Sequence, residues 1–525
     1  MSRVAASLRL IATGWALVRA DALVPREVEP ILPPSARLAG RVLRLFAGSA
    51  ARKGRPGERL ARVLEREGPA AIKMGQFLST RADIFGAAFA EDLSHLKDRL
   101  PAFPLEVAKA EVARGLGAPL DSLYARFEPS IAAASLAQAH AATLLDGTPV
   151  AVKVLRPGVE RQVARDSAAL RLAASLAERL VPAARRLRPR EFVEVVIRAL
   201  DLELDLRFEA AGCAELGEAM KRDPYMRAPD VVWDGVGKRF LTLTWAPGLA
   251  LSDPAALEQP GLDRKALAEA VTRGFLAQAL DHGLFHADLH EGNLFVGAPI
   301  PGEGAAIVAV DYGILGRLGP AERKYLAEIL YGFLNRDYPR VAAIHFDAGY
   351  VPAHQDRDAF AQALRAVGEP VFGRDASDVS MGRLLAQLFE ITALFDMALR
   401  PELVLLQKTM VTVEGVARRI DPTHDLWAAA DPVVRRWIAR ELSPAAKVRA
   451  FADEAAQAIR ALARLAEAPA VPAVAVVQPR PARPLLWFLA GAVVAGLAFA
   501  AGAWLVGGPA DPPAKPAPAI HQPTP

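Results

Sequence analysis

The residues best placed to do chemistry lie in HADLHEGN, residues 286–293, which is flanked on both sides by apolar runs. Two histidines, an aspartate, a glutamate and an asparagine between strand-like segments must either be hydrogen-bonded or do work, because burying polar groups without partners is costly. Two chemistries fit. His286, Asp288 and His290 alternate and could ligate a divalent metal on a strand or loop. Alternatively, Asp288 and Asn293 could handle a proton and a hard cation beside phosphates. Two further polar residues bear on the choice. Lys153 sits inside VAVKV, an otherwise apolar strand, and an ammonium there needs a counter-charge. Asp311 ends a second apolar strand, VAVDYG, and is followed by Tyr312-Gly313.

Strand lysine, then D-x-x-x-x-N, then D-aromatic-G is the order of the protein-kinase signature. In that template the lysine holds nucleotide phosphates, the loop aspartate handles a proton, and the asparagine and last aspartate hold Mg²⁺. The metal-hydrolase reading leaves Lys153 and Asp311 unused. The glycine-rich phosphate loop of ordinary kinases is missing. Between the first two expected strands stands Ile131-Ala132-Ala133-Ala134-Ser135, and alanine restricts the backbone more than glycine does.

Taken together, AAAS, KMGQFLSTRAD, LELDLRFEAAG and HADLHEGN resemble the UbiB/ADCK (ABC1-like) family of atypical kinases over roughly residues 10–440. The stretch 389–427 and an apolar C-terminal segment resemble its bacterial branch. The resemblance implies an α+β, atypical protein-kinase-like two-lobed fold with a helical N-terminal extension and a C-terminal transmembrane helix. It implies an ATPase-type activity supporting ubiquinone biosynthesis, with ATP or ADP and Mg²⁺ as ligands. Carried over position by position, Ala132, Ala133, Ala134 and Ser135 form the alanine-rich nucleotide loop. Lys153 is the strand lysine and Glu209 its ion-pair partner. Asp288 and Lys73 are catalytic, and Asn293 and Asp311 hold the metal. Lys73 and Gln76 form the K-x-G-Q element, which folds over the site and meets Glu203 and Asp205. Two apart on a helix, those two acids point in different directions, so separate roles are natural.

Three positions depart from the family's pattern. Leu289 and Glu291 replace prolines of HADPHPGN, so the loop is expected to be less rigid and Glu291 to add a carboxylate near the metal. Thr244 stands where a glutamate is common in the hinge-like strand. His286 and His290 read as hydrogen-bonders that steady the loop. A catalytically silent scaffold for quinone-synthesis enzymes is the main alternative function, and the metal hydrolase a lesser one.

These residues need a frame to hold them. Residues 1–120 read as a helical, basic extension, 121–260 as a kinase-like N-lobe, and 261–440 as a C-lobe. Three strand-like runs begin near residue 122, with Asp146-Gly147 as a two-residue hairpin turn. Helices return over 158–222, a hairpin follows in VVWDGVGKRFLTLTW, and helices dominate after 262 except for short strands near 284–315. A helix and linker, 441–484, lead to Leu485–Val506, a charge-free run long enough, at about 1.5 Å per residue, to cross a bilayer. Trp487 and Trp504 mark its ends. Residues 507–525 are too proline-rich to pack.

Composition agrees with this organisation. The chain has 525 residues, 52% of them hydrophobic, enough for several cores. One cysteine, Cys213, excludes an internal disulfide. The net charge of +4 is too small and dispersed to indicate nucleic acid. Arginines before the apolar run place the body on the cytoplasmic side of the membrane it would cross, and the resemblance implies that this membrane is a bacterial inner membrane. The apolar run makes membrane lipids expected partners, and the resemblance adds ubiquinone intermediates and quinone-biosynthesis enzymes, with a homodimer left open.

Overall fold

The protein is represented by a computed structural model that describes residues 3–23, 34–48, 54–79, 87–94, 96, 101–180, 188–223, 225–298, 306–370, 387, 391, 394–397 and 401–441. The chain divides into two units, Met1–Ala446 and Lys447–Pro525. The second unit, with the expected linker, membrane helix and tail, lies outside the described residues. Among the described residues no helix is long and apolar enough to cross a membrane.

The N-terminal extension is helical: α1 (Arg3–Arg19), α2 (Pro34–Arg44), α3 (Pro56–Glu67), α4 (Pro69–Ser79) and α5 (Ala87–Ser94). Helix α6 (Leu105–Leu116) leads into strands β1 (Tyr124–Ala133), β2 (Ala137–Leu144) and β3 (Pro149–Leu155). Three more helices follow: α7 (Val159–Leu180), α8 (Pro189–Glu203) and α9 (Leu206–Met220). Strands β4 (Val231–Gly237) and β5 (Phe240–Thr244) complete an antiparallel sheet in the order β1-β2-β3-β5-β4.

The β2–β3 connection differs from the two-residue turn expected. Leu144 N–H donates to Thr148 C=O at 2.9 Å, so Leu145, Asp146 and Gly147 form a three-residue loop. Gly147 takes the left-handed conformation such a loop requires (φ 87°), and the Asp146 side chain accepts from Thr148 N–H at 2.9 Å.

Strand β3 shows why its lysine is tolerated. Val150, Val152 and Val154 are fully buried against Val112, Tyr124 and Phe240. With a side-chain period of two, Ala151 and Lys153 must face the other side of the sheet, where the cleft lies. The apolar run is thus one buried face and one cleft face.

The C-lobe is built on β6 (Leu249–Ala250), α10 (Arg264–Ala277), β7 (Leu284–His286), β8 (Leu294–Val296), β9 (Ile307–Ala309) and β10 (Leu315–Arg317). Helices α11 (Pro320–Leu334), α12 (Tyr338–Asp347), α13 (Arg357–Gly368), α14 (Pro401–Ile420) and α15 (Leu426–Glu441) follow. Its largest apolar cluster joins Val271 and Phe275 of α10 to Val413 and Ala417 of α14 and to Val433 and Val434 of α15. Between α10 and β7 the chain makes a π-helical turn, Gln278–His282, closed by Gly283 at φ 67°. The resulting two-lobed, mixed helix-and-sheet architecture is the kinase-like one.

Candidate active site

A cleft of about 740 Å³ opens beneath the β1–β3 sheet, and Lys153, Glu209, Asp288, Asn293 and Asp311 all line it. Lys153 Nζ donates to both oxygens of Glu209, at 2.8 and 2.9 Å, and to Asp311 Oδ1 at 3.0 Å. The counter-charge demanded by the strand lysine is therefore double. Burial works against the Lys153 ammonium, but the Asp311 and Glu209 carboxylates outweigh it and hold its pKa above the ordinary lysine value. Asp311 is held well below the usual carboxylate range, chiefly by Lys153. Glu209 shows the opposite balance, since burial pushes its carboxyl up to about 7 against the pull of Lys153.

Glu209 arrives on α9, whose N-cap is Asp205. That carboxylate accepts from Arg207 N–H at 3.2 Å and from the Arg207 guanidinium at 2.8 and 2.6 Å. Gly212, one helical turn on, lets α9 close against the Asp311-Tyr312-Gly313 turn. A Cβ there would stand 2.9 Å from Leu315 Cδ1 and 3.5 Å from Tyr312 O.

The HADLHEGN loop is fixed by its own polar groups. His286 is fully buried: its Nδ1 accepts from Asp288 N–H at 3.1 Å, and its Nε2–H donates to Val310 C=O at 3.1 Å. Burial lowers its pKa, so the ring is neutral in that tautomer. His290 Nδ1 accepts from Gly292 N–H at 3.0 Å. With both nitrogens of His286 engaged in the fold, the His-Asp-His metal triad loses its first member. Among the described residues, no group of three or more His, Cys, Asp or Glu could hold a metal ion.

Asn293 and Asp311 offer a different donor set. Asn293 Nδ2 donates to Asp288 C=O at 3.0 Å, leaving its amide oxygen as the remaining donor atom. Val310 N–H donates to Asn293 C=O at 2.8 Å, which ties the two loops together. Asp311 itself sits at φ 67°, a left-handed conformation that aspartate tolerates better than most residues. An amide oxygen and a carboxylate suit a hard cation such as Mg²⁺, with phosphate oxygens to complete its shell.

The K-x-G-Q element lies on α4. Lys73 and Gln76, three apart, both reach the cleft wall. Gly75 faces away, where a Cβ would collide with Leu96 and Leu64. Lys73 Nζ donates to Glu203 Oε1, and burial raises the Glu203 pKa against that ammonium. Glu203 thus meets α4, whereas Asp205 is committed to capping α9. Ala132, Ala133 and Ala134 line the cleft from the β1–β2 turn, which is closed by Ala134 N–H to Ala137 C=O at 2.8 Å. Ser135 is buried behind them.

Comparison with known proteins matches this geometry to a family. The family description "ABC1 atypical kinase-like domain" fits residues 95–345, and "UbiB helical domain" fits residues 364–425. A protein named "Probable protein kinase UbiB" from Marinobacter nauticus is 40% identical over 394 residues, 75% of this chain and 72% of that one. One of the same name from Pseudomonas aeruginosa is 40% identical over 402 residues, 76% and 75% of the two chains. The chain belongs to the UbiB family of ABC1-like atypical kinases. Its fold also resembles the Rv3197–erythromycin complex from Mycobacterium tuberculosis, with TM-score 0.50 and 19% identity over 76% of this chain and 98% of that one.

Against the UbiB-family pattern, both loop departures have structural partners. Leu289 is fully buried in the C-lobe core, so the loop is anchored there by packing. Glu291 pairs with Arg419 of α14 rather than joining Asn293 and Asp311. Its carbonyl accepts from Ser252 N–H at 3.1 Å, and Thr409 of α14 donates to Ala287 C=O at 3.2 Å. At the hinge, the Thr244 hydroxyl accepts from Asp230 N–H at 2.8 Å. Sequence reasoning missed Gln278, fully buried in the π turn, whose Oε1 accepts from His286 N–H at 3.0 Å. A glutamine inside FLAQALDHGLF was the available signal. For Thr409 and Arg419 the sequence offered none.

Proposed function

We propose that this UbiB-family protein binds ATP or ADP with Mg²⁺ in the cleft and hydrolyses ATP in support of ubiquinone biosynthesis. The observation that carries the reading is Lys153 bridging Glu209 and Asp311 on a cleft wall shared with Asp288 and Asn293. In this reading Lys153 grips phosphates, and Asn293 and Asp311 would hold Mg²⁺. That ion would supply charge neutralisation on the phosphates. Asp288 accepts the proton of the attacking nucleophile, water included. Ala132 to Ser135 cover the phosphates, and Lys73, Gln76 and Glu203 close the side where a protein substrate would enter.

The same reading places the protein at the bacterial inner membrane, with Leu485–Val506 as its anchor. Nucleotide turnover then serves polyprenylated quinone intermediates, whose tails stay in the bilayer, alongside other quinone-synthesis enzymes. Asp311→Asn tests the nucleotide part, because asparagine keeps the left-handed backbone and loses the charge. Nucleotide near 100 Kd should stabilise the wild type by about 2.7 kcal/mol in a Mg²⁺-dependent way. The variant should lose that stabilisation and its ATPase activity. Equal stabilisation and turnover in both proteins would remove Asp311 from the site. A wild type that binds nucleotide with no turnover, with or without lipid, would favour the silent scaffold.

A further inference from the structure

Among the described residues, the α1–α2 pair carries an exposed apolar ridge. Leu38, Val42 and Leu45 recur at helical spacing in and just beyond α2, and they are 65%, 50% and 81% exposed. Ile11 and Trp15, one turn apart on α1, are 67% and 49% exposed. Trp15 and Phe46 join the two helices, their ring centroids 5.7 Å apart. Scattered exposed apolar residues need no explanation, but a contiguous ridge of this kind marks an interaction site.

The ridge is held in a fixed direction. On the opposite side of α1, Arg9 Nε donates to Asp166 Oδ1 at 3.1 Å, and the Thr13 hydroxyl donates to Glu67 Oε2 at 2.5 Å. At about 100° per residue, Ile11 lies roughly 200° from Arg9, so fastening that side to the body turns Ile11 and Trp15 outward. Arg59 pairs with Asp21 just after α1, and Gly48 N–H donates to Arg19 C=O at 2.8 Å, which closes the pair.

Charge identifies the occupant. Residues 1–55 contain nine arginines and one lysine against three acidic residues, whereas the whole chain carries only +4. Neither α1 nor α2 contains an acidic residue, and Arg19, Arg41 and Arg44 stand in their last turns. Aromatic and aliphatic side chains on one face with arginines along the border are the pattern of a helix pair lying in a bilayer interface. A protein-docking surface of similar apolar content would not need so one-sided a charge.

We propose that α1 and α2 form an interfacial membrane-docking face for anionic lipid, with Trp15, Leu45 and Phe46 inserted and Arg41 and Arg44 at the headgroups. This contact is separate from Leu485–Val506 and does not depend on that segment spanning a bilayer.

The test uses the full chain reconstituted in vesicles. Leu45→Cys is labelled with an environment-sensitive fluorophore, and Cys213 is fully buried and stays unlabelled. Asp121→Cys, on an exposed turn, is the control, and the melting temperature of each variant checks its fold. In vesicles with roughly a third phosphatidylglycerol, a quencher on the lipid chains should reach the Leu45 label and iodide should not. In phosphatidylcholine alone the label should be mostly aqueous, and the Asp121 label should be aqueous in both. Arg41→Glu with Arg44→Glu should lower the inserted fraction in anionic vesicles, by about fivefold in the docking equilibrium per residue. Iodide access in both lipids would overturn the proposal. So would shielding without lipid quenching that disappears on dilution into more lipid, because the face would then meet protein. Equal insertion in both lipids would overturn the role of charge and with it the choice of occupant.

Discussion

Arg419, near the end of α14, pairs with Glu291 inside the HADLHEGN loop, across 128 residues of sequence. Together with Thr409 to Ala287, it makes α14 a brace for the segment that carries Asp288 and Asn293. The pair is about two-fifths exposed on each side, so its direct contribution to stability is small, well under 1 kcal/mol after solvent screening. Its effect belongs to loop position.

Arg419→Glu should therefore lower ATP turnover severalfold while shifting the melting temperature little. Adding Glu291→Arg should restore much of the rate by re-forming the pair in reverse. The measurement is ATPase rate and thermal melting for the two single variants and the double, at low and high salt. A double variant no better than the worse single one would show that the pair does not position the loop.

The alanine turn makes a second prediction. Ala134 is held on both sides, by its N–H to Ala137 C=O and by Arg156 Nε to its own C=O at 2.8 Å. Ala133 is the position where added freedom should reach the cleft. Ala133→Gly should cost about 0.5–1 kcal/mol of stability and change the ratio of ATP to ADP affinity. Paired titrations decide it, and two unchanged affinities would mean that this turn does not cover the nucleotide.

Glu414 predicts a pH dependence away from the cleft. Burial pushes its carboxyl up to about 7, against the pull of Arg418. The folded protein keeps this proton while the unfolded chain releases it near 4.5. The stability involved is fully present below that value, is lost as pH rises toward 7, and changes no further above it. Glu414→Gln should flatten that part of the stability profile by up to about 3 kcal/mol. Urea unfolding of both proteins at several pH values between 4.5 and 8 measures the difference, and parallel profiles would show that Glu414 is ionised in the fold.

Deleting residues 485–525 should convert salt-resistant membrane association into a weaker, salt-sensitive one that requires anionic lipid. Nucleotide binding should survive, since every proposed ligand precedes Tyr312. Fractionation in high salt and nucleotide titration of the truncated chain check both halves. Integral association after truncation would place the anchor elsewhere.

What could be read in the sequence was whatever its own neighbourhood announced. The lysine in VAVKV is conspicuous because every neighbour is apolar, and its alternation with Val150, Val152 and Val154 already fixes which face it takes. The acid that ends VAVDYG stands out for the same reason. That Lys153 would hold Asp311 as well as Glu209 was not legible, because it depends on how closely α9 approaches the Asp311 turn at Gly212. Glu291 was misread for a related reason. Its partner lies on α14, and no local pattern links 291 to 419. The hairpin turn was placed correctly but made one residue too short, since Asp-Gly serves both two- and three-residue loops.

The double pairing of Lys153 has a consequence for how the cleft fills. Its ammonium is a resident cation, already balancing the carboxylate that a divalent ion would claim. Metal alone must compete with it for Asp311, and like charges brought to one carboxylate repel. Nucleotide phosphates, if bound as proposed, would relieve that conflict by supplying negative charge for both. On the proposed reading, magnesium should therefore bind weakly by itself and far better together with nucleotide.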